Sequence, residues 1–173
     1  MFELKPLARQ SIPAALEKAH QYRLMREPRE AESVCDDVLA VEPDNQEALK
    51  MKLLAITDRF DENIGDEVDD AKDILPKLTS EYVRAYCAGV ICEKRGKVIF
   101  AREPQSGPAV YDWLHKGMKW FEHAERLAPD ADDEPRLRWN TCARIINDHR
   151  HVRPPPGPPT GEWRIADLAG KSD

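Results

Sequence analysis

Ala15-Leu16-Glu17-Lys18-Ala19-His20-Gln21-Tyr22 opens the stretch that decides the fold. It continues through Arg29-Glu30-Ala31-Glu32 to Val38-Leu39-Ala40-Val41-Glu42-Pro43-Asp44-Asn45-Gln46-Glu47-Ala48-Leu49. Apolar residues recur three and four apart in each part, which is the period of one helix face. Ala31, Cys35, Val38 and Pro43 stand at offsets 0, 4, 7 and 12, and Gly117, Phe121, Ala124 and Pro129 repeat those offsets with the same residue classes. The pattern has a physical sense. A small residue lets two helices touch, a larger apolar plug follows one turn on, then another core residue, and a proline ends the hairpin. Ala15, Ala19 and Tyr22 likewise have apolar counterparts 34 residues later at Leu49, Leu53 and Ile56.

Outward from this stretch the same period predicts seven helices and no strand. Their apolar stripes run over Leu16–Leu24, Ala31–Leu39, Ala48–Phe60, Val68–Leu78, Tyr82–Phe100, Val110–Leu127 and Leu137–Ile146. Prolines stand near the ends of these segments, where a missing N–H does least harm. Asp44-Asn45-Gln46-Glu47 has the form of a capping box, while Ser11 before Pro13 and Asp132/Asp133 before Pro135 pair a capping oxygen with an early proline. The short connector Arg26-Glu27-Pro28-Arg29 forces its two helices antiparallel, so the unit is a helical hairpin. The last helix, Pro135 to about His149, reads as the cap that shields the final open face of an array. Beyond it, Arg153-Pro154-Pro155-Pro156-Gly157-Pro158-Pro159 favours an extended polyproline conformation. The expected organisation is an N-terminal extension over residues 1–10, a helical domain over 11–150 and a Pro-rich tail over 151–173.

Composition narrows the function. With 26 Lys and Arg against 32 Asp and Glu, a net charge of −6 and a pI near 5.5, the chain lacks the dense basic face that bulk phosphate binding needs. Nucleic acid is not an expected partner. Met1-Phe2-Glu3-Leu4-Lys5-Pro6 has no basic region followed by an apolar stretch, and no run of eighteen apolar residues occurs, so neither a secretory signal nor membrane insertion is expected. Cys35, Cys87, Cys92 and Cys142 form no CxxC pair and sit among apolar residues, which favours reduced, buried thiols in a cytoplasmic protein over disulfides or zinc.

With these residues in view, the sequence resembles the tetratricopeptide repeat family over roughly residues 12 to 130. Ala15 to Leu49 looks like one full repeat and the start of the next; Ala88-Gly89, Gly96, Gly117, Phe121, Ala124 and Pro129 look like a third. The second repeat departs by replacing its tight turn with Phe60 to Gly65, and the third by an insert from Lys97 to Ala109 between its helices. The large aromatic common early in the first helix is Ala15 here. The resemblance implies an all-α superhelix of about three helical hairpins plus a C-terminal capping helix. It also implies a concave face, built from the first helix of each hairpin, that holds a peptide or helix of another protein. Carried over by spacing, that face presents Leu16, His20 and Arg23, then Lys50, Leu54 and Thr57, then Tyr86, Val90 and Lys94. An apolar floor with three cations suits a segment with hydrophobic anchors and acidic flanks. Leu16 and His20 stand where chaperone-binding members of the family carry Lys and Asn, so a carboxylate clamp is rejected.

Other readings are weaker. A calcium loop begun at Asp61 would need Gly and Glu where Asp66 and Lys72 stand. His115 with His123, and His149 with His151, lack the converging ligands of a metal site. No phosphate loop, HExxH or Ser/His/Asp order is visible, and no catalytic residue, metal or cofactor is expected. Trp113, Trp120 and Trp139 read as core plugs, with Trp120 partly exposed because its neighbour Phe121 takes the core-facing side. In the tail, Trp163, Ile165 and Leu168 could anchor a docked segment. The expected function is a non-catalytic protein–protein interaction scaffold. The alternatives are a chaperone for an exported or membrane-bound client and, in a different class, a helical enzyme or metal-binding protein. Oligomeric state is left open.

Overall fold

The computed structural model describes residues 2–61, 66–103, 105–154 and 156. Among them are seven α-helices: α1 Ile12–Leu24, α2 Pro28–Val41, α3 Gln46–Thr57, α4 Asp66–Ile74, α5 Glu81–Arg102, α6 Gly107–Leu127 and α7 Glu134–Asp148. Single 3-10 turns at Arg9–Ser11 and Leu75–Lys77 precede α1 and follow α4, and no strand occurs among the described residues. Each predicted helix is present. The fold is all-α.

Proline sets four of the starts. Pro13, Pro28, Pro108 and Pro135 occupy the first turns of α1, α2, α6 and α7, where the fixed φ suits the helix and the lost N–H has no intrahelical role. The caps differ from expectation. Asn45, not Asp44, caps α3: its Oδ1 accepts the Ala48 N–H at 3.0 Å while its amide donates to Glu42 at 2.9 Å. Ser11 makes no capping bond because the 3-10 turn already holds it at helical angles, φ −90° and ψ −5°. At α7 the cap residue Asp133 makes none either, and Asp132 Oδ1 instead accepts the Glu134 N–H at 3.1 Å. Between α1 and α2, Arg26 takes the left-handed conformation at φ 62°, and the Glu27 N–H returns to the Tyr22 carbonyl at 2.9 Å.

The helices pack as an array of hairpins. α1 packs on α2, α3 on α4 and α5 on α6, and each second helix also packs on the following first helix: α2 on α3, α4 on α5, α6 on α7. The first helices meet side by side, α1 with α3 and α3 with α5. The expected insert of the third hairpin is largely helix. α5 runs 22 residues to Arg102 and α6 starts at Gly107, leaving 103–106 as connector. Lengthening both helices together extends their shared interface, which an unstructured loop of that size would not do.

Small residues mark the crossings. Ala19 and Ala31 are fully buried where α1 meets α2. At the α5–α6 crossing a Cβ on Gly89 would lie 2.5 Å from the Phe121 ring, and one on Gly117 would lie 3.2 Å from the Gly89 carbonyl oxygen. Phe121 fills the space so created and is fully buried. Trp120 is also buried, contrary to the sequence expectation, because α6 is covered by α5 on one side and α7 on the other. Trp113 and Trp139 are half-buried. Packing continues to Val152, which is fully buried in the main core. A Cβ on Gly107 would fall 2.0 Å from the His151 carbonyl, so glycine lets the chain pass there. The four cysteines are unpaired and buried, and burial pushes each thiol up to about 12.

Two adjacent residues close the array from both sides. Asp58, just after α3, accepts from Arg23 of α1 and Lys94 of α5, so it ties three first helices together. Arg59 points into the other layer and pairs with Glu32 of α2 at 2.7 Å and Glu67 of α4 at 3.1 Å. Among the described residues, no helix is long and apolar enough to cross a membrane.

Candidate functional site

The face shared by α1, α3 and α5 carries two cross-helix rows. In one, Arg23 Nε donates to Asp58 Oδ2 at 2.9 Å and Lys94 Nζ to Asp58 Oδ1 at 3.0 Å. In the other, Lys50 Nζ lies 5.7 Å from the centre of the Tyr86 ring, and the Arg138 guanidinium of α7 lies 5.6 Å from it. Cations at that range are attracted by the ring quadrupole, worth roughly 0.5–1 kcal/mol when exposed. The contacts among α1, α3 and α5 exist because these helices abut in turn, so residues about one repeat apart in sequence become neighbours, and Arg138 joins the second row from α7.

A polar network extends the second row to the end of the array. Arg138 Nε donates to the Tyr86 hydroxyl at 2.8 Å, and that hydroxyl donates to Glu134 Oε1 at 2.9 Å. Arg138 Nη1 reaches Glu93 Oε2 at 2.8 Å, and Lys97 holds the other Glu93 oxygen. Burial alone would lower the Arg138 pKa, but the Glu93 carboxylate beside it raises it further above its ordinary range. Desolvation raises Tyr86 as well. The Tyr82 hydroxyl donates to Asp132 at 2.5 Å; that bond, with the Glu134 N–H, holds the Asp132 carboxyl below the usual range.

The nine residues expected on this face divide into two kinds. Arg23, Lys50 and Lys94 are half-buried and His20 is exposed. Leu16, Leu54, Thr57, Tyr86 and Val90 are buried, at 6%, 8%, 1%, 7% and 1% exposure, so the expected apolar floor lies beneath the surface. Helix-to-helix packing covers it, and Thr57 spends its hydroxyl on the Leu54 carbonyl at 2.8 Å. The surface itself is polar. Asp58, Glu134 and Arg138 belong to it, with Glu93 buried beneath Arg138, and sequence reasoning passed over all four. Two of them had a signal: Asp58 is four residues after Leu54, and Glu93 seven after Tyr86, both spacings that return to the same helix face.

Where α3 ends against the second half of α5 there is an open cleft of about 250 Å³, walled by Phe60, Val98 and Ala101 and rimmed by charged residues including Lys97 and Arg102. Elsewhere, His123 meets Glu81 at 3.2 Å, and His149 and His151 flank the Phe100 ring at 4.6 and 6.1 Å. Among the described residues, no group of three or more His, Cys, Asp or Glu is placed to hold a metal ion. Trp163, Ile165 and Leu168 lie outside the described residues. No family model matches the chain, and no curated protein or solved structure shows significant similarity to it.

Proposed function

We propose that this chain is a non-catalytic protein-interaction module of tetratricopeptide-repeat type, working in the cytoplasm and holding a peptide or helix of another protein on the face of α1, α3 and α5. The observation that carries the reading is the pair of cross-helix rows, Arg23–Asp58–Lys94 and Lys50–Tyr86–Arg138, which join side chains from successive first helices into one continuous surface. His20 and Lys50 make no ion pair among the described residues. Lys50 offers a charge-assisted contact to an acidic segment and the exposed His20 ring a hydrogen bond beside it. The acidic net charge argues against nucleic acid as the occupant.

Photo-cross-linking tests this. A cross-linker placed at His20 or Lys50 should capture a protein partner in extracts of the source organism, and one at Ser33 or Lys119, exposed on α2 and α6, should not. Combining the His20 cross-linker with Lys50→Glu should lower the adduct about tenfold, the effect of some 1.4 kcal/mol of lost attraction. Equal capture from all four positions, or none from His20 and Lys50, would refute the assignment.

A further inference from the structure

We propose that the cleft between α3 and α5 is a receptor for this chain's own segment Glu162–Leu168. The inference goes beyond the function above, since it needs no second protein. The cleft holds about 250 Å³, below the roughly 300–1,000 Å³ of sites for whole small molecules and sized for one aromatic anchor with its neighbours. Its walls are apolar, from Phe60, Val98 and Ala101, and its lining carries three cations, Lys94, Lys97 and Arg102, against two carboxylates, Asp58 and Asp61. The segment Glu162-Trp163-Arg164-Ile165-Ala166-Asp167-Leu168 is the complement: four apolar side chains, two carboxylates and one guanidinium.

Position favours this occupant. Val152 is fully buried, and the His151 ring stacks 6.1 Å from Phe100, whose next neighbour, Ala101, is a wall of the cleft. Trp163 lies seven residue steps beyond Pro156, a reach of roughly 23 Å when extended. A tether this short gives an effective concentration in the millimolar range, so a modest cleft is enough to hold the segment.

The test uses the full chain, labelled with nitrogen-15, with Trp163 assigned through Trp163→Phe. Docking predicts backbone order parameters at Trp163 and Ile165 near those of the helices, about 0.8, against values below about 0.6 for a free segment. Ala101→Trp fills the cleft and Arg102→Glu reverses its rim. Both sites are exposed, so the helical circular dichroism should not change, and in each variant the two order parameters should fall below about 0.6. Order parameters below that value in the native chain overturn the proposal. So do values unaffected by either variant, whichever of the two folds. Chemical shifts at Val98 that move with protein concentration would assign the cleft to a second copy and overturn it equally. Loss of partner capture from His20 with an occupied cleft would leave this inference standing and refute only the function above.

Discussion

Replacing Arg138 by Met removes the guanidinium that bridges α7 to α5 but keeps most of the side-chain volume. Glu93 is then left with a side chain 2% exposed and Lys97 as its remaining ionic partner. Stripping one partner from a buried pair costs about 3–5 kcal/mol when the other charge is abandoned. Lys97 stays, so the expected loss is about 2–3 kcal/mol, including the hydrogen bond to Tyr86. At this chain length that corresponds to a fall in Tm of roughly 5–10 °C. Glu93→Leu alone should cost a similar amount, because it leaves Arg138 beside an apolar wall. The double variant Glu93→Leu/Arg138→Met should be more stable than either single change, since apolar groups often replace a buried ion pair without loss. Urea unfolding followed by helical circular dichroism, with unchanged m, measures all three. The refuting result is additivity: if the double cost equals the sum of the singles within about 0.5 kcal/mol, Glu93 and Arg138 are not coupled and α7 is held by packing alone.

Gly89→Ala should destabilise the chain by about 0.5–2 kcal/mol, because overpacking against the buried Phe121 ring outweighs the helix-propensity gain; adding Phe121→Leu should recover part of it, and a stabilising Gly89→Ala would contradict the crossing geometry. The four cysteines, their thiols pushed up to about 12 by burial, should resist a thiol reagent at pH 8 in the native chain and all react in denaturant; fast labelling of any one in the native chain would show that it is accessible. Asp132 is held low, so its contribution is complete above its unfolded pKa near 4 and is lost as pH falls through the folded value; Tyr82 is held high by burial, so its contribution is complete below about 10 and is lost as pH rises. The stability cost of Tyr82→Phe should therefore be flat from about pH 5 to 9 and shrink toward pH 2, and a cost unchanged at pH 2 would separate the hydroxyl from the Asp132 carboxylate.

The helices and their pairing were legible in the chain because they depend on near neighbours. An apolar stripe three and four residues apart makes a buried helix face whatever lies opposite, and a proline breaks a helix by its own stereochemistry. The spacing shared by Ala31–Pro43 and Gly117–Pro129 carried the crossings too, since a small residue is needed wherever two helix axes approach. Caps were less legible. Asp44 and Asn45 are equally good capping residues, and the turn preceding the helix chose between them.

The face of the first helices was legible as a set of positions and not as a surface. Its residues were found by spacing, but how deep each would lie depends on how closely α1, α3 and α5 approach. That approach buried Leu54, Thr57 and Val90 and left Arg23, Lys50 and Lys94 at the rim. The period could return Asp58 to the face but could not name its partners, which lie 35 and 36 residues away on two other helices. Helical period and proline placement act within a few residues and so made an all-α hairpin array readable from the chain alone. Ion pairs form between side chains that the backbone brings within about 4 Å, and only the packed array settles which charges those are.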